Sequence, residues 1–569
     1  MLLCANHVTR QLILRPSYSG ARAWVSRRRD VRRHYSESNG PNIAILGGGI
    51  TGLSTAFYLR EALPSSKITI YEGSDRVGGW IRSTAKGIGS GDVIFEHGPR
   101  TLRPTIGLLT PHLIEDLGLA QDVIATRRDA PASTNRYIYY PDHLVRMPMP
   151  QAGEGISQVW NEPLFEGIGS ALTEWFVSTR PSNLQDESVA SFISRRLDRR
   201  MADNMVSALL HGIYAGDVNQ LSMKSIFPLL WYYEGRYGSL VGSIPSVWSN
   251  LRSGMMLGSA REYQSILDRQ RKPLGSTLKE KLSRASVYTL KRGLTGLVSA
   301  LRERLLSRGV TIHENTPISA LSMDSATEKI EYQITSAGKS LPQADQVIST
   351  VFSRHLANIC KDGSGTTLLP SFGETHAVSV MVVNLFFQES DLGMPEGFGY
   401  LIPQSIPIDQ NPERALGVIF DSCATSGQDS VSGTKLTVIL GGHWWDGWTE
   451  FPDEEEGVSM ARAILSRHLG LNATPTATQA TLQRECIPQY LVGHWSRMEK
   501  GHQELKQHFK GKLKVAGSSY TGVGVNDCIQ SARNLVVDAD ELAWKDKTGL
   551  EEFTGDLRFA EVYFRTRGE

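Results

Sequence analysis

The stretch Ile43–Trp80, IAILGGGITGLSTAFYLREALPSSKITIYEGSDRVGGW, limits what this 569-residue chain can fold into more than any other segment. A β-branched run at Ile43–Leu46 leads at once into Gly47-Gly48-Gly49-Ile50-Thr51-Gly52, a Gly-x-Gly-x-x-Gly pattern. Apolar residues then recur at helical spacing as far as Leu63, and a second strand-like run comes at Ile68–Tyr71. The whole is a β-turn-α-β unit. Its first glycine permits the tight turn, its second lets the main chain approach a pyrophosphate, and its third lets helix and strand pack closely. The helix N-terminus offers free N–H groups and a partial positive charge to phosphate. Glu72 lies 20 residues beyond Gly52, where an acid accepts hydrogen bonds from ribose hydroxyls. The expectation is an α/β protein built on a dinucleotide-binding Rossmann domain, with Gly47–Gly52 and Glu72 as cofactor contacts.

Composition narrows the rest. With 40% apolar and 21% charged residues the chain reads as globular, long enough for two or three domains. Its net charge of +1 conceals an asymmetry: residues 1–35 carry eight Arg and one Asp, so the remainder stands at −6. An acidic body argues against nucleic acid as a partner. The Arg-rich, acid-poor leader has the composition of a mitochondrial presequence, with cleavage expected between Tyr35 and Ser36. Five scattered Cys, without Cys-x-x-Cys, indicate neither a disulfide framework nor a metal site. The run AVSVMVVNLFF at Ala377–Phe387 is too short to cross a bilayer and predicts a buried strand.

The residues just after the nucleotide motif separate flavin from nicotinamide. EGSDRVGGW resembles the acid-x-x-x-Arg-x-Gly-Gly extension of FAD oxidases of the glutathione-reductase-like, amine-oxidase type, which implies that Arg76 and the Gly78–Gly79 turn hold the flavin side. LKVAGSSYTGVGVNDCIQSARNLVVDA at Leu513–Ala539 resembles the strand, Gly-rich turn and helix that close such sites. The resemblance implies that Val523-Gly524-Val525 aims a helix N-terminus, capped by Asn526 or Asp527, beneath the flavin pyrimidine ring. A positive helix end there stabilises the charge of reduced flavin.

EHGPRTLRP (Glu96–Pro104), NRYIYY (Asn135–Tyr140), IPQYLVGHWSRME (Ile487–Glu499) and AGSSYTGVGVNDCIQSARN (Ala516–Asn534) together resemble the protoporphyrinogen oxidase family, over residues 41 to about 540. The resemblance implies that Gly98, Pro99, Arg100 and Thr101 line the flavin and that Trp80 contacts it. The main chain near Ile318 would meet the adenine, while Ser518, Val523, Gly524 and Val525 complete the pocket. Arg136 would grip a propionate of the tetrapyrrole with its planar fork, and Arg100 would be a second substrate contact. From the residues alone, Arg136 reads as a surface ion pair and Arg100 as a buried structural one.

The family implies a six-electron oxidation of protoporphyrinogen IX to protoporphyrin IX, the penultimate step of haem synthesis. A meso carbon would deliver hydride to flavin N5, and O2 would reoxidise the flavin to give peroxide, in three cycles. One FAD per chain would be non-covalent, because Ser519 stands where covalent relatives place Cys. Implied partners are protoporphyrinogen IX, O2, ferrochelatase and a second copy in a homodimer. The implied location is the mitochondrial inner membrane, monotopic on its intermembrane-space side. Two alternatives remain open: a non-covalent amine or polyamine oxidase, and a non-catalytic escort or GDP-dissociation-inhibitor-like binding protein.

The expected organisation is an FAD domain at 41–125, 286–345 and 508–569, a substrate domain at 126–149 and 346–507, and a mainly helical membrane-associating domain at 150–285. The helical part is rich in aromatics, among them Trp160, Phe165, Trp175, Phe176, Trp231, Tyr233, Tyr237 and Trp248, which suit a core, a pocket wall or a bilayer interface. Residues 259–282 read as an exposed polar insertion. Arg292, where relatives have Gly, puts one turn in doubt.

Overall fold

Two large sheets, four two-stranded ones and a helical layer make up the described fold in the computed structural model. It describes residues 40–563 except 90, 105–108, 149–161, 253–254, 260–272, 325, 335–342, 538, 540–543, 545 and 556–558. The expected presequence therefore lies outside the described residues, as do Trp160 and most of the 259–282 stretch.

The first sheet is parallel and five-stranded, in the order Thr311–His313, Lys67–Tyr71, Asn42–Leu46, Gln346–Ser349, Leu513–Val515. Its central strands are buried on both faces, which is why they read as unbroken apolar runs. One face is covered by the Ile50–Ala62, Thr295–Ser307 and Val525–Val536 helices. The Gln346–Ser349 strand corrects the expected division at residue 346. It pairs between Asn42–Leu46 and Leu513–Val515, so it belongs to the dinucleotide sheet and not to the substrate part.

The second sheet has seven strands, in the order Ala477–Gln489, His376–Phe387, Thr434–Gly441, Ala415–Phe420, Gly399–Leu401, Tyr137–Tyr139, Leu144–Arg146. All pairs are antiparallel except Gly399–Leu401 with Tyr137–Tyr139. The expected strand at Ala377–Phe387 is its longest apolar element. Met381, Val383, Leu385 and Phe387 join one core cluster while Val378, Val380 and Val382 join another, so both faces are buried.

The helical layer includes Val189–Arg196, Ser207–Tyr214, Pro228–Tyr237 and Leu240–Arg252. Its aromatics divide: Phe165, Trp231 and Tyr233 are core, whereas Trp175 and Phe176 are 57% and 87% exposed. Among the described residues no helix is long and apolar enough to cross a membrane.

Two further readings change. The Ser276–Ser283 helix is not an exposed insertion, because Leu278 and Leu282 at helical spacing are buried in the core under the dinucleotide sheet. The turn at Arg292 is sound. The left-handed position is Gly293, with φ +73°, and Arg292 beside it is exposed and needs no glycine.

Candidate flavin and substrate site

Chain segments far apart in sequence meet at the end of the Asn42–Leu46 strand. Gly47 turns with φ +97°, and Thr350 Oγ1, just past the neighbouring strand, donates within reach of the Leu46 and Gly47 carbonyls. A Cβ on Gly52 would lie 2.0 Å from the Gly47 oxygen, so only glycine closes the turn. Gly49 differs: its missing Cβ would meet nothing nearer than Gly79 Cα at 3.9 Å. Gly49 is also the N-cap of the Ile50–Ala62 helix, which has no side-chain cap and no acid in its first turn. These uncapped N–H groups beside an open glycine fit a pyrophosphate.

The Gly78–Gly79 turn docks on this loop, with Gly78 N–H donating to Gly48 O at 2.8 Å. Arg76 holds that turn from within, donating from Nη2 to Gly79 O at 2.7 Å and from Nη1 to Ile81 O at 3.2 Å. Its guanidinium thus shapes the Gly78–Gly79 turn through the turn's own carbonyls. Glu72 is drawn into the glycine loop, since Oε2 accepts from Gly48 N–H at 2.6 Å and Oε1 accepts from Ser74. Oε2 retains a lone pair for a ribose hydroxyl. Alongside, Thr316 N–H donates to Glu72 O, which brings the Pro317–Ile318 chain to the same edge.

The C-terminal segment completes the ring. A Cβ on Gly517 would come within 3.1 Å of Thr51 Oγ1, and Ser518 O accepts from Tyr490 OH at 2.6 Å. Of the two expected capping residues of the helix that starts at Val525, Asp527 takes part and Asn526 does not. Its N-cap is Gly524, and Asp527 reaches back to accept from Gly524 N–H at 3.2 Å. Asn526 is instead bonded to Thr110 and the Arg103 carbonyl. Ser519 is buried and accepts from Ser353 N–H.

Gly98 packs against Trp80, whose carbonyl would be 2.5 Å from a Cβ at that position, and the Trp80 side chain is 44% exposed. Just before it stands Glu96, whose buried carboxyl accepts from Ser83 Oγ and Leu294 N–H. Burial pushes it up to about 7, against the lowering by those two hydrogen bonds. His97 is pulled down to about 4, by burial first and then by Arg82, Arg76 and Arg100, and bridges Thr84 and Thr481. A raised acid binds its proton more tightly when folded, so its stabilising contribution is full below the ordinary carboxyl range and fades as pH rises through about 7. Glu96→Gln should therefore gain on the parent by up to about 3 kcal/mol between pH 4.5 and 8. Melting temperatures measured across that range check it, and a pH-independent difference would contradict it.

Arg100 is only 6% exposed, and its Nη1 donates to Asp421 Oδ1 at 3.0 Å and to Thr437. The structural half of its sequence reading is thus present, and Asp421 was not legible as its partner. Arg136 precedes the Tyr137–Tyr139 strand. Its carbonyl accepts from Met147 N–H, and its guanidinium lies 5.1 Å from the Phe398 ring centroid. Phe398 is itself fixed by its N–H to Asn135 O.

Comparison with known proteins gives the chain's family. The family model described as flavin containing amine oxidoreductase matches residues 50–539. Protoporphyrinogen oxidase of Schizosaccharomyces pombe is 34% identical over 504 residues, covering 87% of this chain and 97% of its own. That of Homo sapiens is 34% identical over 507 residues, covering 88% and 98%. The crystal structure of a protoporphyrinogen oxidase candidate from Exiguobacterium superposes with TM-score 0.66 at 21% identity, covering 88% and 98%, a likeness of fold. The chain belongs to the flavin-containing amine oxidoreductases, and FAD is its cofactor. Within that family its place is among the protoporphyrinogen oxidases.

Proposed function

We propose that the chain oxidises protoporphyrinogen IX to protoporphyrin IX with O2 as the terminal acceptor, and that Arg136 anchors a substrate propionate. The observation that carries this reading is the whole-length likeness to protoporphyrinogen oxidases. When bound, FAD supplies the two-electron acceptor. The chain's own residues hold it: the Gly47–Gly52 loop and helix N-terminus at the pyrophosphate, Glu72 and the Ile318 main chain on the adenosine side, and Arg76, Gly79, Trp80, Gly98–Thr101, Ser518 and Val523–Val525 around the flavin. Ser519 offers no thiol, so the flavin is non-covalent.

Arg136 meets a carboxylate with two parallel donors, and the Phe398 face steadies the guanidinium plane. Arg100 works from its buried ion pair. The reading extends to a mitochondrial location, with a presequence ending near Tyr35 and monotopic attachment to the inner membrane's intermembrane-space side, ferrochelatase taking up the product, and a homodimer. An amine or polyamine oxidase would share the fold but would not require Arg136.

The test is Arg136→Ala. Loss of a charge-assisted contact worth ~1.5–3 kcal/mol should raise KM for protoporphyrinogen IX roughly ten- to a hundredfold, with FAD content unchanged. Arg136→Lys should restore only part, since a point charge does not reproduce the fork. An unchanged KM in the alanine variant would remove Arg136 from the site. Turnover of polyamines but not of protoporphyrinogen by the parent enzyme would remove the activity itself.

A further inference from the structure

The segment Glu96–Thr101 is suspended between the two sheets. On the dinucleotide side, the Glu96 carboxylate accepts from Leu294 N–H at 2.9 Å, and Leu102 exchanges main-chain hydrogen bonds with Tyr288. On the other side every partner belongs to the seven-stranded sheet or the turn attached to it. Asn384 Nδ2 donates to the Glu96 carbonyl at 2.9 Å, His97 Nδ1 lies 2.7 Å from Thr481 Oγ1, and Gln483 Nε2 donates to the His97 carbonyl at 3.0 Å. Arg100 Nη1 reaches both Asp421 oxygens, at 3.0 and 3.2 Å. Thr437 Oγ1 ties the group together, 2.6 Å from Asp421 Oδ2 and 2.8 Å from Asn384 Oδ1.

Asn384, Asp421 and Thr437 are all nearly inaccessible to solvent. A buried amide inside an apolar strand and a buried carboxylate both cost free energy unless they are fully bonded, and here their bonds converge on one loop. One donor is left over. Arg100 Nη2 is buried and has no hydrogen-bond partner among the described residues. An unsatisfied guanidinium N–H in the interior is a position for an oxygen acceptor from outside the chain.

We propose that Asp421, with Thr437 and Asn384, is a positioning residue that fixes Arg100 and the Gly98–Thr101 main chain against the bound flavin, and that Arg100 Nη2 donates to an oxygen of the bound ligand. The inference rests on the proposal that Gly98–Thr101 lines the flavin. It goes further in making the flavin's surroundings depend on the sheet that carries Arg136. Asp421 itself touches neither cofactor nor substrate. It holds the cation in place and balances its charge, so removing that balance leaves net positive charge beside the ring, which favours the anionic reduced flavin.

The experiment uses the FAD-loaded full chain and reads the flavin midpoint potential, the visible spectrum, FAD affinity, and kcat and KM for protoporphyrinogen IX. Asp421→Asn should shift the potential upward and alter the visible band while FAD stays stoichiometric. Its kcat should fall about ten- to a hundredfold, as expected for a misplaced reacting group, with any rise in KM smaller than that of Arg100→Lys. Thr437→Val, a milder change that serves if Asp421→Asn does not fold, should shift the spectrum the same way to a smaller extent. Arg100→Lys removes the spare donor. A roughly tenfold rise in the FAD dissociation constant assigns the acceptor to the cofactor, and a similar rise in KM with FAD affinity unchanged assigns it to a substrate carboxylate. If neither rises, the ligand contact is overturned. Trp80→Leu serves as the control for location. If it shifts the flavin spectrum while Asp421→Asn and Thr437→Val leave potential and spectrum at parental values, the positioning role is overturned. If Trp80→Leu also leaves the spectrum unchanged, the flavin-lining reading fails and the inference falls with it.

Discussion

Gly49→Ala is expected to leave the folded chain intact and to weaken FAD binding roughly thirty- to a hundredfold, whereas Gly52→Ala should lose both FAD and thermal stability. The difference lies in what each new methyl meets. Gly49 has φ −68° and ψ 178°, a backbone any residue adopts, and the protein places nothing within 3.9 Å of its absent Cβ. The methyl would stand where the main chain meets the pyrophosphate, an overlap worth about 2–3 kcal/mol. At Gly52 the methyl would collide with the protein itself, 2.0 Å from Gly47 O and 3.0 Å from Thr350 Oγ1, so the turn must open. Melting of the apo proteins separates the two variants, and FAD titration then measures the binding loss. Parental FAD affinity in Gly49→Ala would mean that the pyrophosphate does not lie over this loop.

The glycine loop is legible in the sequence because its constraints are local. Turn, helix start and acid fall within 26 residues of one another, and steric rules fix their spacing. The same holds for the Ala377–Phe387 strand, whose continuous apolar run comes from burial on both faces. Local signals fail wherever the deciding partner is remote. Ser276–Ser283 sits in a polar stretch, yet two leucines one helical turn apart carry it into the core. Gln346–Ser349 gives no sign of which sheet it will join, because its neighbours in that sheet are Asn42–Leu46 and Leu513–Val515, both more than 160 residues away. Arg100 reads from sequence as buried or functional, but Asp421 lies 321 positions downstream with nothing around it to mark a counter-ion. The nearest thing to a clue is Asn384, an amide within an otherwise apolar strand, which is there because Thr437 and the Glu96 carbonyl satisfy it.

Glu174→Ala should be among the most damaging single changes outside the cofactor site, although nothing in its local sequence, LTEWFV, sets it apart. Glu174 and Arg196 have no exposed side-chain surface and form a buried pair, with Arg196 Nε donating at 2.8 Å. Ser239 Oγ, Leu240 N–H and Val241 N–H donate to the same carboxylate, so it also holds the first turn of the Leu240–Arg252 helix. Burial alone would raise its pKa, but the hydrogen bonds from Ser239, Leu240, Arg196 and Val241 outweigh it and hold the carboxyl below the usual range. Its contribution is therefore present at neutral pH and is lost as pH falls through that depressed value. Removing the carboxylate leaves the buried Arg196 guanidinium with main-chain carbonyls and the Glu234 carboxylate 3.8 Å away as its remaining partners, and it uncaps the helix, at a cost of about 3–5 kcal/mol. The helical layer should then melt several degrees earlier, seen as a lowered or split thermal transition. Because part of the penalty comes from a buried charge left under-compensated, with only Glu234 at 3.8 Å to balance it, the double variant Glu174→Leu with Arg196→Met should recover part of the loss. A double variant no more stable than Glu174→Ala would show instead that the hydrogen bonds to the Leu240 and Val241 N–H groups, and not the ion pair, hold this layer together.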